Sequence, residues 1–222
     1  MRKLLVISFL MLAELNGFGQ AKDYYFPIAE LTESKIYKYE CKLDPSKTEY
    51  WKITSNPTDN TLTTEAFDCG HVQYEFFKEL LTKNGSELLE FISYRAYENG
   101  QKDTIINKPL ELDVFKWDTN QVYHYSAESI EDNYGEIFFN KKREFLRKEK
   151  LIILGKEYEV LKFKGTYQTA FISTNKYYEK NQFSYYARGI GLVKMDKRYS
   201  DGRKTTLELT EIISMNEWSK LK

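Results

Sequence analysis

The chain has 222 residues, and its 33 basic and 33 acidic side chains give a formal net charge of zero at pH 7. Charges of both signs are interspersed, which argues against nucleic acid or an anionic membrane surface as a partner. Aromatic residues make up 16% of the chain, including 18 Tyr and 14 Phe. Such a content is typical of half-buried β-strands, whose tyrosine rings enter a core while the hydroxyl groups reach water.

The N-terminus has the pattern of an export signal. Residues 2 and 3 are basic, residues 4–13 form a short apolar stretch, and Gly19 and Ala21 are small residues placed as at a cleavage site. The apolar stretch is too short to span a hydrocarbon core of about 30 Å, so we expect no transmembrane segment. We predict a signal peptide over residues 1–21 and a periplasmic or secreted domain over residues 22–222. Cleavage after Gly19 is the alternative.

Short segments of alternating polar and apolar residues follow the N-terminus, and turn signals separate them. The turn signals include Asn84-Gly85, Asn99-Gly100 and Asp201-Gly202. About ten long strands are too many for a flat open sheet. We therefore predict one all-β domain with few short helices, built as a single curved antiparallel sheet that forms a half-barrel or barrel. The predicted strands cover residues 36–41, 50–55, 62–66, 72–81, 88–97, 110–117, 122–126, 136–145, 158–163, 192–199 and 205–213.

The segment 72–81 fits two structures. As a helix it spreads its apolar residues too widely for one face, whereas as a strand it leaves only Lys78 out of place. The hairpin signal that follows at residues 84–85 favours a strand.

The run Tyr185-Tyr186-Ala187-Arg188-Gly189-Ile190-Gly191-Leu192-Val193-Lys194 resembles a motif of uncharacterised exported bacterial β-sheet proteins. In those proteins the motif leads into one of the last strands of a curved sheet. Some of these families are loosely similar in shape to the half-barrels of periplasmic lipoprotein carriers, which hold acyl chains in a concavity. The resemblance implies the same fold and a lipid-like ligand or an envelope protein as partner.

Candidate ligand-binding residues come from this run and from the paired tyrosines. Consecutive strand residues face opposite sides, so each Tyr-Tyr pair places one ring outside or in a cavity. We assign Tyr178, Tyr186, Ile190 and Leu192 to ligand binding.

Other chemistry receives little support from the sequence. Cys41 and Cys69 are the only cysteines, and the sequence leaves open whether they form a disulfide. Cys69, His71 and His124 supply too few ligands for a zinc site, so we expect no metal and no cofactor. Gly189 and Gly191 lack the third glycine and the helix of a dinucleotide-binding loop, and a strand bulge is favoured instead.

Charged clusters are interpreted as solvated surface. The basic run 140–150 is predicted to be the wet face and hairpin end of two strands. Carboxylate clusters such as Glu87 with Glu90 do not by spacing alone place two groups for hydrolysis. The leading hypothesis is a non-enzymatic envelope protein that binds an apolar ligand or a partner protein. A secreted carboxylate-dependent hydrolase and a module that recognises glycans or proteins are the alternatives.

Overall fold

The computed structural model describes residues 21–96, 102–132 and 134–221. Within these residues, twelve antiparallel strands form one closed barrel. Short helical turns are few in the described residues, where the one α-helical segment is α1 (Met215–Trp218). The strands are β1 (Lys35–Glu40), β2 (Glu49–Asn56), β3 (Thr61–Phe67), β4 (Gln73–Leu81), β5 (Gly85–Ala96), β6 (Lys102–Lys116), β7 (Tyr123–Glu131), β8 (Gly135–Ile153), β9 (Lys156–Phe171), β10 (Lys176–Ala187), β11 (Gly191–Tyr199) and β12 (Lys204–Ser214).

Each strand pairs with the next along the chain, and β1 pairs with β12 to close the barrel. The predicted fold class is therefore confirmed. The ambiguous segment 72–81 forms the strand β4, in which Phe77 and Glu79 are buried while Lys78 forms an ion pair on the outside with Glu90 of β5. Alternation of period two predicts the strand, but the prediction of its inward face was wrong, because the pattern placed position 78 on the inward face and the structure buries Phe77 and Glu79 instead.

The prediction was wrong about the length of the strands in the second half. β8 runs without interruption through the basic run 140–150, and β9 continues to Phe171. Lys141 and Arg143 of this run are buried, so it is not a solvated face throughout. Charged residues at inward positions hid the alternation from a hydrophobicity pattern. The predicted turn at residues 99–100 lies outside the described residues.

The N-terminal segment 21–31 closes one end of the barrel. Its backbone bonds to the ends of three distant elements: Ala21 N–H to the Trp117 carbonyl (3.4 Å), Gly189 N–H to the Asp23 carbonyl (3.0 Å) and Ser55 N–H to the Leu31 carbonyl (2.8 Å). All three contacts lie at the same end of the strands. Four large side chains of the segment are buried in the main core: Tyr24, Tyr25, Phe26 and Leu31.

The disulfide that the sequence left open is not formed, because Cys41 and Cys69 are both free thiols. Cys41 is buried just after β1, whereas Cys69 is exposed in the turn after β3. The strand β2 lies between β1 and β3. Two strand spacings amount to about 10 Å, which exceeds the Cα separation of roughly 7 Å that a disulfide tolerates.

Candidate functional site

A cavity of about 260 Å³ lies inside the barrel. Inward-facing residues of most strands line it, together with Tyr25 and Phe26 of the N-terminal segment. The lining combines aromatic and aliphatic side chains with seven charged ones. The charged residues are the cations Lys141, Arg143, Lys180 and Lys197 and the carboxylates Glu49, Glu75 and Glu79.

Aromatic rings form the floor of the cavity. The Tyr25 ring stacks on Tyr186 with centroids 6.3 Å apart, and both rings pack against Phe115, at 4.9 Å and 5.0 Å. Phe26 lies beside Gly191, where a Cβ atom would come within 2.4 Å of its ring. Gly191 also has a φ of +98°, so this position favours glycine for both conformation and space.

Glu79 is a buried carboxylate at the floor. Tyr25 and Ser86 both donate hydrogen bonds from their hydroxyl groups to its Oε2 atom. Burial raises the pKa of Glu79, and the two hydrogen bonds partly oppose that rise. The N-terminal segment and the barrel wall thus share one polar contact in an otherwise aromatic layer.

Lys141 and Arg143 lie two residues apart on β8, and their side chains are 6% and 5% exposed. The Lys141 ammonium group lies over the Tyr167 ring at 4.4 Å and over the Tyr125 ring at 5.2 Å. Arg143 donates from Nη1 to the Val114 carbonyl at 3.2 Å, and its buried Nε has no hydrogen-bond partner in the described part of the chain.

No ion pair involves Lys141 or Arg143 among residues 21–96, 102–132 and 134–221. Burial lowers the pKa of Lys141 well below its ordinary value, and the positive charges of Arg143 and Lys180 lower it further. The β8 strand therefore presents two cationic side chains to the cavity that form no ion pair in the described chain, although the carboxylates of Glu75 and Glu79 on β4 act on Lys141 from a longer distance.

The end of the cavity away from the N-terminal segment is more exposed, and its charges are partly balanced. Glu49 accepts hydrogen bonds from Lys197 Nζ (2.6 Å), Trp51 Nε1 (3.1 Å) and the Tyr74 hydroxyl (3.1 Å). Burial raises the pKa of Glu75, and the nearby charge of Glu49 raises it further. Lys141 and Arg143, in contrast, form no ion pair in the described chain.

The structure brings together two of the four residues that the sequence assigned to ligand binding. Tyr186 and Leu192 line the cavity. Ile190 lies in the turn between β10 and β11, where its carbonyl accepts a hydrogen bond from the Tyr37 hydroxyl (3.0 Å). Tyr178 is 57% exposed at the far end of β10. The last two residues are therefore not part of this cavity.

Sequence reasoning missed Lys141 and Arg143 because basic residues in a charged run usually face water. One signal could have identified them. Phe139, Lys141 and Arg143 are alternate residues of β8, and alternate residues of a strand share one face. Phe139 also lines the cavity.

The other candidate motifs of the sequence, at His71 and Gly189, have structural roles. His71 packs against the rings of Tyr50 (4.9 Å) and Trp218 (4.7 Å). Gly189 is in the turn between β10 and β11, and the register shift lies just before that turn, between Tyr185 and Tyr186. Across the described residues, no three His, Cys, Asp or Glu side chains converge as metal ligands, and no helix is long and apolar enough to cross a membrane.

Comparison with known proteins gives the fold and no family. No protein-family model matches the sequence, and no curated protein matches it significantly. A "putative lipoprotein" from Parabacteroides distasonis is similar in structure, with a TM-score of 0.50, 14% identity, and coverage of 85% of this chain and 97% of that chain. For a "putative exported protein with YmcC-like fold" from Bacteroides fragilis, the TM-score is 0.42 and the identity is 11%, with coverage of 85% of this chain and 98% of that chain. For the hypothetical lipoprotein YmcC from Escherichia coli, the TM-score is 0.34 and the identity is 9%, with coverage of 95% of this chain and 97% of that chain.

Proposed function

We propose that this chain is an exported protein of the cell envelope that binds a small organic acid inside its barrel. Export is supported by the signal-like pattern of residues 1–21 and by the fold that the chain shares with the Parabacteroides protein. The binding proposal depends on the cavity. It narrows the apolar ligand expected from the sequence to one that carries an anionic group.

The observation that carries this proposal is the pair Lys141 and Arg143, buried beside the cavity without an ion pair in the described chain. Lys and Arg are almost never fully buried unless they are paired. The effective penalty for burying an ion is several kcal/mol even after the protein relaxes. A ligand carboxylate would offset that penalty, and a guanidinium group binds carboxylates well because it can donate two parallel hydrogen bonds.

The size of the cavity and its walls indicate the body of the ligand. A cavity of 150 Å³ holds benzene, so about 260 Å³ has room for roughly ten non-hydrogen atoms. A long acyl chain is larger than this space. Apolar side chains on the walls favour an aromatic or short aliphatic body, and these are Phe77, Phe91, Val114, Phe139, Leu192 and Met195.

Calorimetric titration of the purified domain tests the proposal with a panel of probes that share a size and differ in charge. Benzoate should bind, whereas benzyl alcohol and benzylamine should bind at least tenfold more weakly. Arg143→Met should weaken benzoate binding by about ten- to a hundredfold, because a hydrogen bond to a charged group contributes about 1.5–3 kcal/mol.

The matched control is Lys142→Met, which removes an exposed charge from the outer face of the same strand. Its affinity for benzoate should equal that of the wild type. Equal affinity for benzoate and benzyl alcohol would contradict the proposal and return the apolar ligand as the better choice. Equal effects of the two substitutions would place the acid outside the barrel.

A further inference from the structure

Lys141 differs from the other lysines that line the cavity. Lys197 has an ion pair with Glu49 at 2.6 Å, and Lys180 is only half-buried. Lys141 is 6% exposed and forms no ion pair within the described chain. Its Nζ atom lies between two tyrosine rings, on β7 and β9. Lys141 is therefore the lysine whose ammonium form is least supported by its surroundings.

Charged and titratable groups face Lys141 from several strands. Positive charges lower its pKa after burial, and the carboxylates oppose this less strongly. The neutral amine is therefore favoured relative to that of an exposed lysine, as in enzymes whose lysine becomes a nucleophile through burial and a neighbouring cation. The groups are Arg143 on β8, Lys180 on β10, Glu75 and Glu79 on β4, Tyr125 on β7 and Tyr167 on β9.

Gly165 of β9 lies against the end of the Lys141 side chain. The residue pairs with Arg143 on one side and Gln182 on the other. A Cβ atom at this position would lie 3.4 Å from Lys141 Cε and 3.1 Å from the Tyr167 ring. Because glycine has no side chain, the end of Lys141 and the Tyr167 ring can pack against the β9 backbone here, and Lys141 still lines the cavity.

We propose that Lys141 captures the carbonyl group of a small aldehyde or keto acid as an imine, while Arg143 holds the acid group. This inference rests on the proposed function, because it uses the same cavity and the same anionic group. Residues two apart on a strand lie about 6.6 Å apart along it, which suits a ligand with the two groups at opposite ends.

The chemistry balances without a further reagent. The Lys141 Nζ lone pair attacks the carbonyl carbon, and the carbonyl oxygen receives one proton of the amine to give a carbinolamine. Loss of water then breaks the carbon–oxygen bond, removes the second amine proton and forms the carbon–nitrogen double bond. Nothing is oxidised or reduced, and water is the only product released.

Reductive trapping with 4-formylbenzoate tests the proposal. The full mature domain is incubated with this probe and sodium cyanoborohydride, and the modified lysine is found by peptide mass spectrometry. We expect one adduct at Lys141, protection by excess benzoate, and an adduct yield that rises with pH as Lys141 loses its proton. Lys141→Arg should lose this adduct, because a guanidinium group does not form the imine.

The outcomes separate this inference from the proposed function. Benzoate binding together with adducts on exposed lysines only, at equal yield in wild type and Lys141→Arg, would overturn the imine and leave the acid site in place. The absence of both benzoate binding and a Lys141 adduct would overturn the imine and the proposed function together. The mapping is done on the wild-type protein, so the result does not depend on the folding of a variant.

Discussion

Tyr25 joins the N-terminal segment to the barrel, and removal of its hydroxyl group should measure the strength of that contact. The hydroxyl donates to Glu79, which is 4% exposed, while the ring packs on Phe115 and Trp117 at 4.9 Å and 5.4 Å. Tyr25→Phe keeps the ring contacts and deletes the hydrogen bond. A bond to a charged group contributes about 1.5–3 kcal/mol. For a domain of this size, we expect the melting temperature to fall by about 3–12 °C.

Tyr24→Phe is the matched control, because the neighbouring hydroxyl donates to Glu159, whose side chain is 50% exposed. Its effect should stay within about 2 °C. Thermal unfolding followed by circular dichroism measures both variants. Loss of the Tyr25 bond raises the pKa of Glu79 further, and a raised carboxyl pKa withdraws stability as pH rises through it. The deficit of Tyr25→Phe should therefore be larger at alkaline than at acidic pH, and equal deficits in both variants would refute the reasoning.

Three further changes test the interior. Lys141→Met should raise the free energy of unfolding at neutral pH, by about 1.4 kcal/mol for each unit by which burial lowers the lysine pKa. This gain in stability should shrink towards pH 10.5, the ordinary pKa of lysine. Denaturant titrations at several pH values measure the gain, and equal stability of the variant and the wild type at neutral pH would contradict the prediction. Gly191→Ala should destabilise the protein more than Gly189→Ala, because residue 189 also has a positive φ but a Cβ there would have nothing within 4 Å. Adding Phe26→Ala to Gly191→Ala should remove this extra destabilisation. Equal melting temperatures of the two glycine variants would contradict a clash between the new Cβ and the Phe26 ring. Gly165→Leu should abolish benzoate binding in calorimetry while the strand spectrum is retained, and unchanged affinity would place the ligand elsewhere.

The sequence predicted the fold because most strands alternate clearly. In β4 the period of two predicted the strand but not its inward face, since Phe77 and Glu79 are buried and Lys78 lies on the other face. Strand length was harder to predict. Eight of the ten residues 141–150 of β8 are charged, and a pattern based on hydrophobicity does not continue through them.

The candidate site was only partly predictable, since it depends on contacts between residues far apart in the chain. Tyr186 and Leu192 were found from their motif, and both line the cavity. Arg143 could not be distinguished from a surface arginine, because its burial follows from the closure of β1 on β12 and from the cover formed by segment 21–31. Neither contact has a local signature.

Crystals of the mature domain soaked with 4-bromobenzoate would test the acid site most directly, since the anomalous signal of bromine locates the probe without reference to the protein. We expect one bromine peak inside the barrel among Phe77, Phe139 and Met195, with the carboxylate beside Arg143. The peak should be absent from crystals of Arg143→Met and present in those of Lys142→Met. A bromine peak only on the outer surface, or an interior peak that persists in Arg143→Met, would contradict it.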